Sequence, residues 1–288
     1  MPSLLGMRAR LWSAWGTKPD RVYYANGGIG DELLMTAVAR ASRTAGHPMH
    51  VLACYPSLWR DNPDPASVQT GLERWLYARL RGWIPTEIIH LAYRTGAPGH
   101  LADQMAAHVG VTLPAGWRPI LSPAPSGKRD PRLIVIQNSC RGARFAATTK
   151  EWPQVRWQEL ACRLARDFQL VQIGTSSDPP LAPAEDRRGR TTLHEAAGLL
   201  GQAALFLGLE SGLQHVAAAM HTPSVIIYGG RSRPAETGYA FNHNLTRSPD
   251  CVGCGLNSGC PHNFICMEIP VNEVESCVRK ALSTTPLP

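Results

Sequence analysis

Apolar positions along this chain follow two alternating patterns. Short continuous apolar runs, the mark of strands buried on both faces, alternate with longer stretches whose apolar residues return every third or fourth position, the mark of a helix with one buried face. Residues 21–25 (RVYYA) read as a strand, and 32–45 read as a helix with Leu33, Leu34, Val38 and Ala41 on one side. Residues 49–53 (MHVLA) form the next strand, and 71–81 and 101–108 are helix-like. The stretch 112–131 is rich in proline and breaks both patterns, which sets a domain boundary there, with lobes at 1–125 and 126–288. The second set then runs strand 133–137 (LIVIQ), helix 154–167, strand 170–174 (LVQIG), helix 193–201, strand 204–208, helix 213–220, strand 224–228 (SVIIY) and helix 269–282. Strands alternating with helices predict an α/β protein with two parallel sheets and crossover helices. In such sheets ligands bind outside the carboxyl ends of the strands, so two facing lobes predict a cleft between them.

Composition narrows this picture. In 288 residues, 44% hydrophobic and 18% charged, there is enough apolar material for a packed core and no signature of disorder. The formal charge of +7 is spread over both halves, without a basic run. That reads as a solvated basic surface with sites for phosphates, and leaves nucleic acid or an anionic membrane surface open. No apolar run approaches the roughly 20 residues a bilayer span needs. The expectation is a cytoplasmic protein, at most peripheral at the inner membrane. Residues 1–15 hold Leu4, Leu5, Leu11, Trp12 and Trp15 interrupted by Arg8 and Arg10, which reads as a docking or interfacial helix rather than a secretory leader.

Three short segments carry candidate chemistry. Gly27-Gly28-Ile29-Gly30-Asp31 joins the first strand to the first helix. Its glycines allow a tight turn and close backbone approach of a ligand at Gly28 and Gly30. Asp31 is equally suited to cap the helix or to act as a general base at the cleft mouth. Lys150-Glu151-Trp152-Pro153 sets an ammonium where a helix begins, in a chain with four Lys against 25 Arg, and suits a point charge on a leaving diphosphate. Glu210-Ser211-Gly212-Leu213-Gln214-His215 joins a strand to an Ala-rich helix and offers hydroxyl and amide donors to phosphate oxygens. A lone His such as His215, one turn into that helix, is more often structural.

Eight cysteines complete the inventory. Cys54, Cys140 and Cys162 read as small buried hydrophobes. Cys251, Cys254, Cys260 and Cys266 crowd into one loop. With no secretory leader, they suit a structural zinc or iron site; free or locally paired thiols are the other reading.

Together and in this order, GIGDELLMTAVARA, KEWPQVRWQEL, ESGLQHVAAAMHTPSVIIYG and the CVGC…CPHNFICM tail resemble glycosyltransferase family nine, the ADP-heptose heptosyltransferase family. The resemblance covers about 150–283 and only the first turn of the N-terminal lobe. It implies a GT-B architecture of two Rossmann-like lobes, with the nucleotide diphosphate sugar, an ADP-sugar favoured, held by the C-terminal one. It implies Asp31 as the base, Lys150 as the phosphate-binding lysine, and Ser211, Gly212 and His215 as the diphosphate loop, with no catalytic metal. Glu210 stands where the family usually has Asp. Some members, heptosyltransferases that modify autotransporter proteins, carry an iron-binding cysteine cluster. The expected reaction is inverting transfer of a sugar to a hydroxyl on a saccharide, protein or nucleic acid. The alternatives are transfer to modified nucleic-acid bases and a non-catalytic sugar-nucleotide or nucleic-acid binding module. A homo-oligomer stays open.

Overall fold

A computed structural model describes residues 19–25, 27–71, 86–122, 128–247 and 250–284. The expected helix over 71–81 and the reading of residues 1–15 fall outside these residues, Gly71 apart.

The first lobe is built on β1 (Arg21–Tyr24), α1 (Ile29–Thr44), β2 (His50–Leu52), β3 (Ser67–Gln69), β4 (Glu87–His90) and α2 (Leu101–Val109). Its four strands are all parallel, in the order β3-β2-β1-β4. The second lobe follows with β5 (Asp130–Gln137), α3 (Gln154–Leu164), β6 (Gln169–Gln172), β7 (Glu185–Asp186), α4 (Leu193–Gln202) and β8 (Ala203–Leu209). It continues through α5 (Gly212–Ala219), β9 (Ser224–Ile227), α6 (Pro234–Thr237), β10 (His243–Leu245) and α7 (Val271–Thr284). Its six strands are also parallel, in the order β10-β9-β8-β5-β6-β7.

Counted from its own first strand, the second sheet has the 3-2-1-4-5-6 order of a dinucleotide-binding fold, and the first sheet reproduces the opening 3-2-1-4 of the same pattern. Each sheet therefore reverses direction once beside its first strand: between β1 and β4 in one, and between β5 and β8 in the other. Adjacent crossovers leave on opposite faces there and open a crevice at the carboxyl ends.

The apolar runs explain the central strands. Every residue of β8 is buried, because helices cover both faces of its sheet. On one face α3 and α7 pack Trp157, Leu160, Val274 and Val278 against Ile134, Leu205 and Val225. On the other, one apolar cluster runs from Leu33, Leu34 and Val38 of α1 to Val216 and Ala217 of α5, so the two lobes share a core.

Four strands depart from the sequence reading. β3, β4, β7 and β10 are two to four residues long and lack a continuous apolar run; β4 is Glu87-Ile88-Ile89-His90 with both ends exposed. Of the three scattered cysteines only Cys140 is buried. Cys54 is half-buried and Cys162 is exposed on α3, because its helical position faces away from the sheet.

Candidate active site

The turns that leave the reversing strands meet at one cavity of about 620 Å³, within the size range of small-molecule sites. Gly28 to Asp31 come from the end of β1, Tyr93 from β4, Lys150 from the β5–α3 connection, and Glu210 to Gly212 from the end of β8. All the candidate site residues outside the cysteine loop line this cavity.

Two helix starts touch across the cleft, and glycines permit it. A Cβ on Gly30 would sit 2.8 Å from the His215 ring, and one on Gly212 would sit 2.4 Å from Ile29. No side chain fits at either place, so α1 and α5 meet end to end. Their first-turn amides, which lack partners within the helix, both border the cavity. Partial positive charge from two helix N-termini thus gathers at one point.

Asp31 closes the first turn of its helix and also faces the cavity. Its Oδ2 accepts the Gly28 N–H at 2.6 Å, closing the first turn of α1, and the carboxylate lines the cavity. Gly27 makes the room: a Cβ there would overlap Asp31 Oδ2 at 1.3 Å. Burial raises the Asp31 pKa above its ordinary value. The Tyr93 hydroxyl and the Gly28 amide oppose that, Glu210 adds to it, and Lys150 reduces it from the other lobe. Tyr93 in turn is held protonated, first by burial and then by the Asp31 carboxylate it donates to.

Lys150 is not an isolated cation. Its Nζ pairs with the Glu210 carboxylate and donates to the Glu210 carbonyl at 3.2 Å. Burial opposes the ammonium charge, but Glu210 overcomes it and the pKa is raised. An ammonium has three donors, so two directed at Glu210 leave the third for a ligand. The Trp-Pro that follows explains how Lys150 is held: Trp152 is buried, stacks edge-on against Trp157 at 5.0 Å, and donates its Nε1–H to the Ile269 carbonyl at 3.0 Å.

Ser211 is the N-cap of α5. Its hydroxyl accepts the Leu213 N–H at 3.2 Å and donates to Gln137 Oε1 at 2.5 Å. The hydroxyl hydrogen is thereby directed away from a ligand, and the amides around Gly212 are what this turn offers. His215 is buried with Nδ1 2.7 Å from the Tyr239 hydroxyl. Burial, helped by His100 and Lys150, pushes its pKa down to about 3, so the ring is neutral.

The sequence reading missed Tyr93, Arg231 and Phe145, which also line the cavity. Arg231 follows Gly229-Gly230 at the end of β9, and the strand–Gly-Gly–Arg order was a signal for it. Tyr93 follows β4, whose pattern is too short to announce a strand.

The cysteine loop lies beside this cavity around a smaller one. Cys251, Cys254, Cys260 and Cys266 line about 70 Å³ together with His262 and Thr149. The Cys254 N–H closes a turn on the Cys251 carbonyl at 3.0 Å, and the Phe264 N–H donates to Cys260 Sγ at 3.4 Å. Burial, then Cys251 and Cys260, push the Cys266 thiol up to about 11, so it is protonated. All four are free thiols. Among the described residues no three His, Cys, Asp or Glu converge as metal ligands.

Two Rossmann-like lobes with facing switch points define the GT-B class of α/β proteins. Residues 126–260 match glycosyltransferase family 9 (heptosyltransferase). Over 154 residues the chain is 27% identical to lipooligosaccharide heptosyltransferase 2 of Haemophilus influenzae, a match that takes in 49% of this chain and 40% of that protein. It is 32% identical over 107 residues to lipopolysaccharide heptosyltransferase 2 of Escherichia coli K12, 32% of this chain and 30% of that one. The iron-containing dodecameric glycosyltransferase TibC from enterotoxigenic E. coli, also solved in complex with ADP-D-β-D-heptose, superposes with a TM-score of 0.70 at 20% identity, over 93% of this chain and 77% of that one. Over these stretches the chain is similar to heptosyltransferases, and its similarity to family 9 lies at 126–260. The matches span less than half the length of these two curated relatives. Among the described residues no helix is long and apolar enough to cross a membrane.

Proposed function

We propose that this protein transfers a sugar from a nucleoside diphosphate sugar to an acceptor hydroxyl with inversion, and that ADP-heptose is its donor. The observation that carries the reading is the pairing across the cleft: a carboxylate, Asp31, on one lobe faces two cations, Lys150 and Arg231, and the α5 N-terminus on the other. The acceptor oxygen attacks the anomeric carbon while its proton passes to the Asp31 carboxylate. The bond from that carbon to the diphosphate breaks, and its electron pair leaves with the nucleoside diphosphate. Lys150, Arg231 and the Gly212 amides supply the positive charge the departing group needs, so the reading requires no divalent ion there. ADP-heptose is favoured because the relatives are heptosyltransferases and TibC is described with that donor. The lobes at 1–125 and 126–288 then divide the work, acceptor to the first and donor to the second. Calorimetric titration with ADP and UDP, followed by ADP release from ADP-heptose with and without acceptors, tests the reading. It fails if neither nucleotide binds.

A base must be ionised to accept a proton. Because burial lifts the Asp31 pKa, kcat/KM should rise with pH through a midpoint above the ordinary carboxylate range. A flat profile from that range to neutrality would remove Asp31 from the role.

The four thiols suit one structural zinc or iron ion, held by Cys251, Cys254, Cys260 and Cys266. The donor set, the shared cavity and the amide–sulfur bond to Cys260 favour it. Binding would have to displace the Cys266 proton. Elemental analysis of chelator-free protein should give about one equivalent per chain. A metal-free, fully folded preparation would leave four ordinary thiols.

A further inference from the structure

The cysteine loop touches the two cation-bearing segments of the large cavity through hydrogen bonds that each end on a main-chain carbonyl. The 3-10 turn Thr148–Lys150 is tied to the loop at two residues: the Thr148 N–H reaches the Asn257 carbonyl at 2.7 Å, and the Thr149 hydroxyl reaches the Leu256 carbonyl at 2.5 Å. The segment holding Arg231 is tied to the same loop: the Gly255 N–H reaches the Gly230 carbonyl at 2.9 Å, and the Arg231 guanidinium reaches the Gly255 carbonyl at 3.0 Å. Thr149 also joins the two segments directly, since its carbonyl accepts the Gly230 N–H at 2.9 Å. The side chain is 1% exposed. Gly229 and Gly230 make the approach possible, as a Cβ on Gly229 would lie 2.3 Å from the Thr149 carbonyl oxygen and one on Gly230 would lie 3.2 Å from Cys254 Sγ. Yet no residue from 251 to 257 lines the large cavity.

We propose that Thr149 is a positioning residue which, with the cysteine loop behind it, fixes Lys150 and Arg231 at the spacing a diphosphate requires. The inference rests on the donor-site reading above. Lys150 has its charge already paired with Glu210, so its value to a ligand lies in where its remaining donor points. Arg231 is anchored at its guanidinium by the loop itself. If the loop shifts, both cations lose their mutual geometry, and a bidentate clasp on one anion depends on that geometry. By linkage, a diphosphate that binds the fixed arrangement must in turn stabilise the loop.

The test is titration of the full chain with ADP by calorimetry, together with hydrogen exchange of the wild type with and without ADP. Thr149→Val removes the hydroxyl and keeps the shape; it should weaken ADP by ~10-fold, while Thr149→Ser, which retains the bond, stays within ~3-fold. Thr149→Val added to a Lys150→Ala/Arg231→Ala background should change nothing further, because the groups it positions are gone. In the wild type, ADP should slow amide exchange over 251–257. A folded Thr149→Val protein with wild-type ADP affinity overturns the inference, as does ADP protection confined to segments that line the cavity. Lys150→Ala/Arg231→Ala with unchanged ADP affinity overturns the donor-site reading itself, and this inference with it. If Thr149→Val does not fold, the exchange measurement on the wild type decides alone.

Discussion

Asp31→Asn should lower kcat by ~10²–10⁴-fold, the usual contribution of a general base, while ADP binds as well as before or better. The substitution keeps the size of the side chain. Its amide oxygen can still accept the Gly28 N–H that closes the first turn of α1. What it loses is a site for the acceptor proton and a negative charge that faces Lys150 and Glu210 across the cleft. Removing that charge cannot weaken the hold on an anion. Stability gives an independent check, and its sign can be worked out. The folded-state pKa of Asp31 is raised, so its contribution favours folding below the unfolded pKa and is lost as pH rises through the folded one. At neutral pH the burial of an ionised carboxylate therefore costs stability that Asn does not incur. Thermal unfolding should show the variant at least as stable as the wild type at neutral pH, with the gap closing in acid. An inactive variant that binds ADP and melts no lower is the pattern of a base kept at a structural cost. Near wild-type turnover with any accepted substrate would end the assignment.

What the sequence announced and what it hid follow from element length and from tertiary partners. The central strands β1, β5, β8 and β9 were legible because burial on both faces demands continuous apolar runs. Edge strands such as β10, His243-Asn244-Leu245, need no such run and left no trace. The turns that follow β1, β5 and β8 carry Asp31, Lys150 and Ser211, so these cavity-lining residues were legible with their strands, whereas Arg231 was missed although β9 was legible. Tyr93 was missed because β4 was. Other features depend on partners distant in sequence. Nothing local tells that Glu32 is buried, accepting the amides of Cys54 and Tyr55 and the Trp59 indole N–H to shape the loop after β2. Nor could spacing reveal that Glu210 pairs with Lys150, 60 residues away in sequence, or that the Ser211 hydroxyl is directed at Gln137.

That pairing shapes the second large effect. Lys150→Ala should weaken ADP by ~10–100-fold, the range expected for losing a hydrogen bond to a charged group, and should also lower stability by about 3–5 kcal/mol because it leaves a buried charge without its partner. Glu210 is the reason. In the wild type its carboxylate is neutralised by Lys150 and shields neither the α5 amides nor Arg231 from a phosphate. Once the ammonium is gone, the same carboxylate stands unpaired in the cavity wall and repels the ligand that Lys150 attracted. Two losses are then folded into one number, and a second substitution separates them. In Lys150→Ala/Glu210→Gln the repelling charge is removed, so most of the stability should return, together with part of the ADP affinity. The affinity still missing from the double variant measures what the third donor of Lys150 contributes to the diphosphate. If calorimetry finds Lys150→Ala binding ADP as the wild type does, Lys150 is only the counter-ion of Glu210, and the cation that holds the diphosphate must be Arg231.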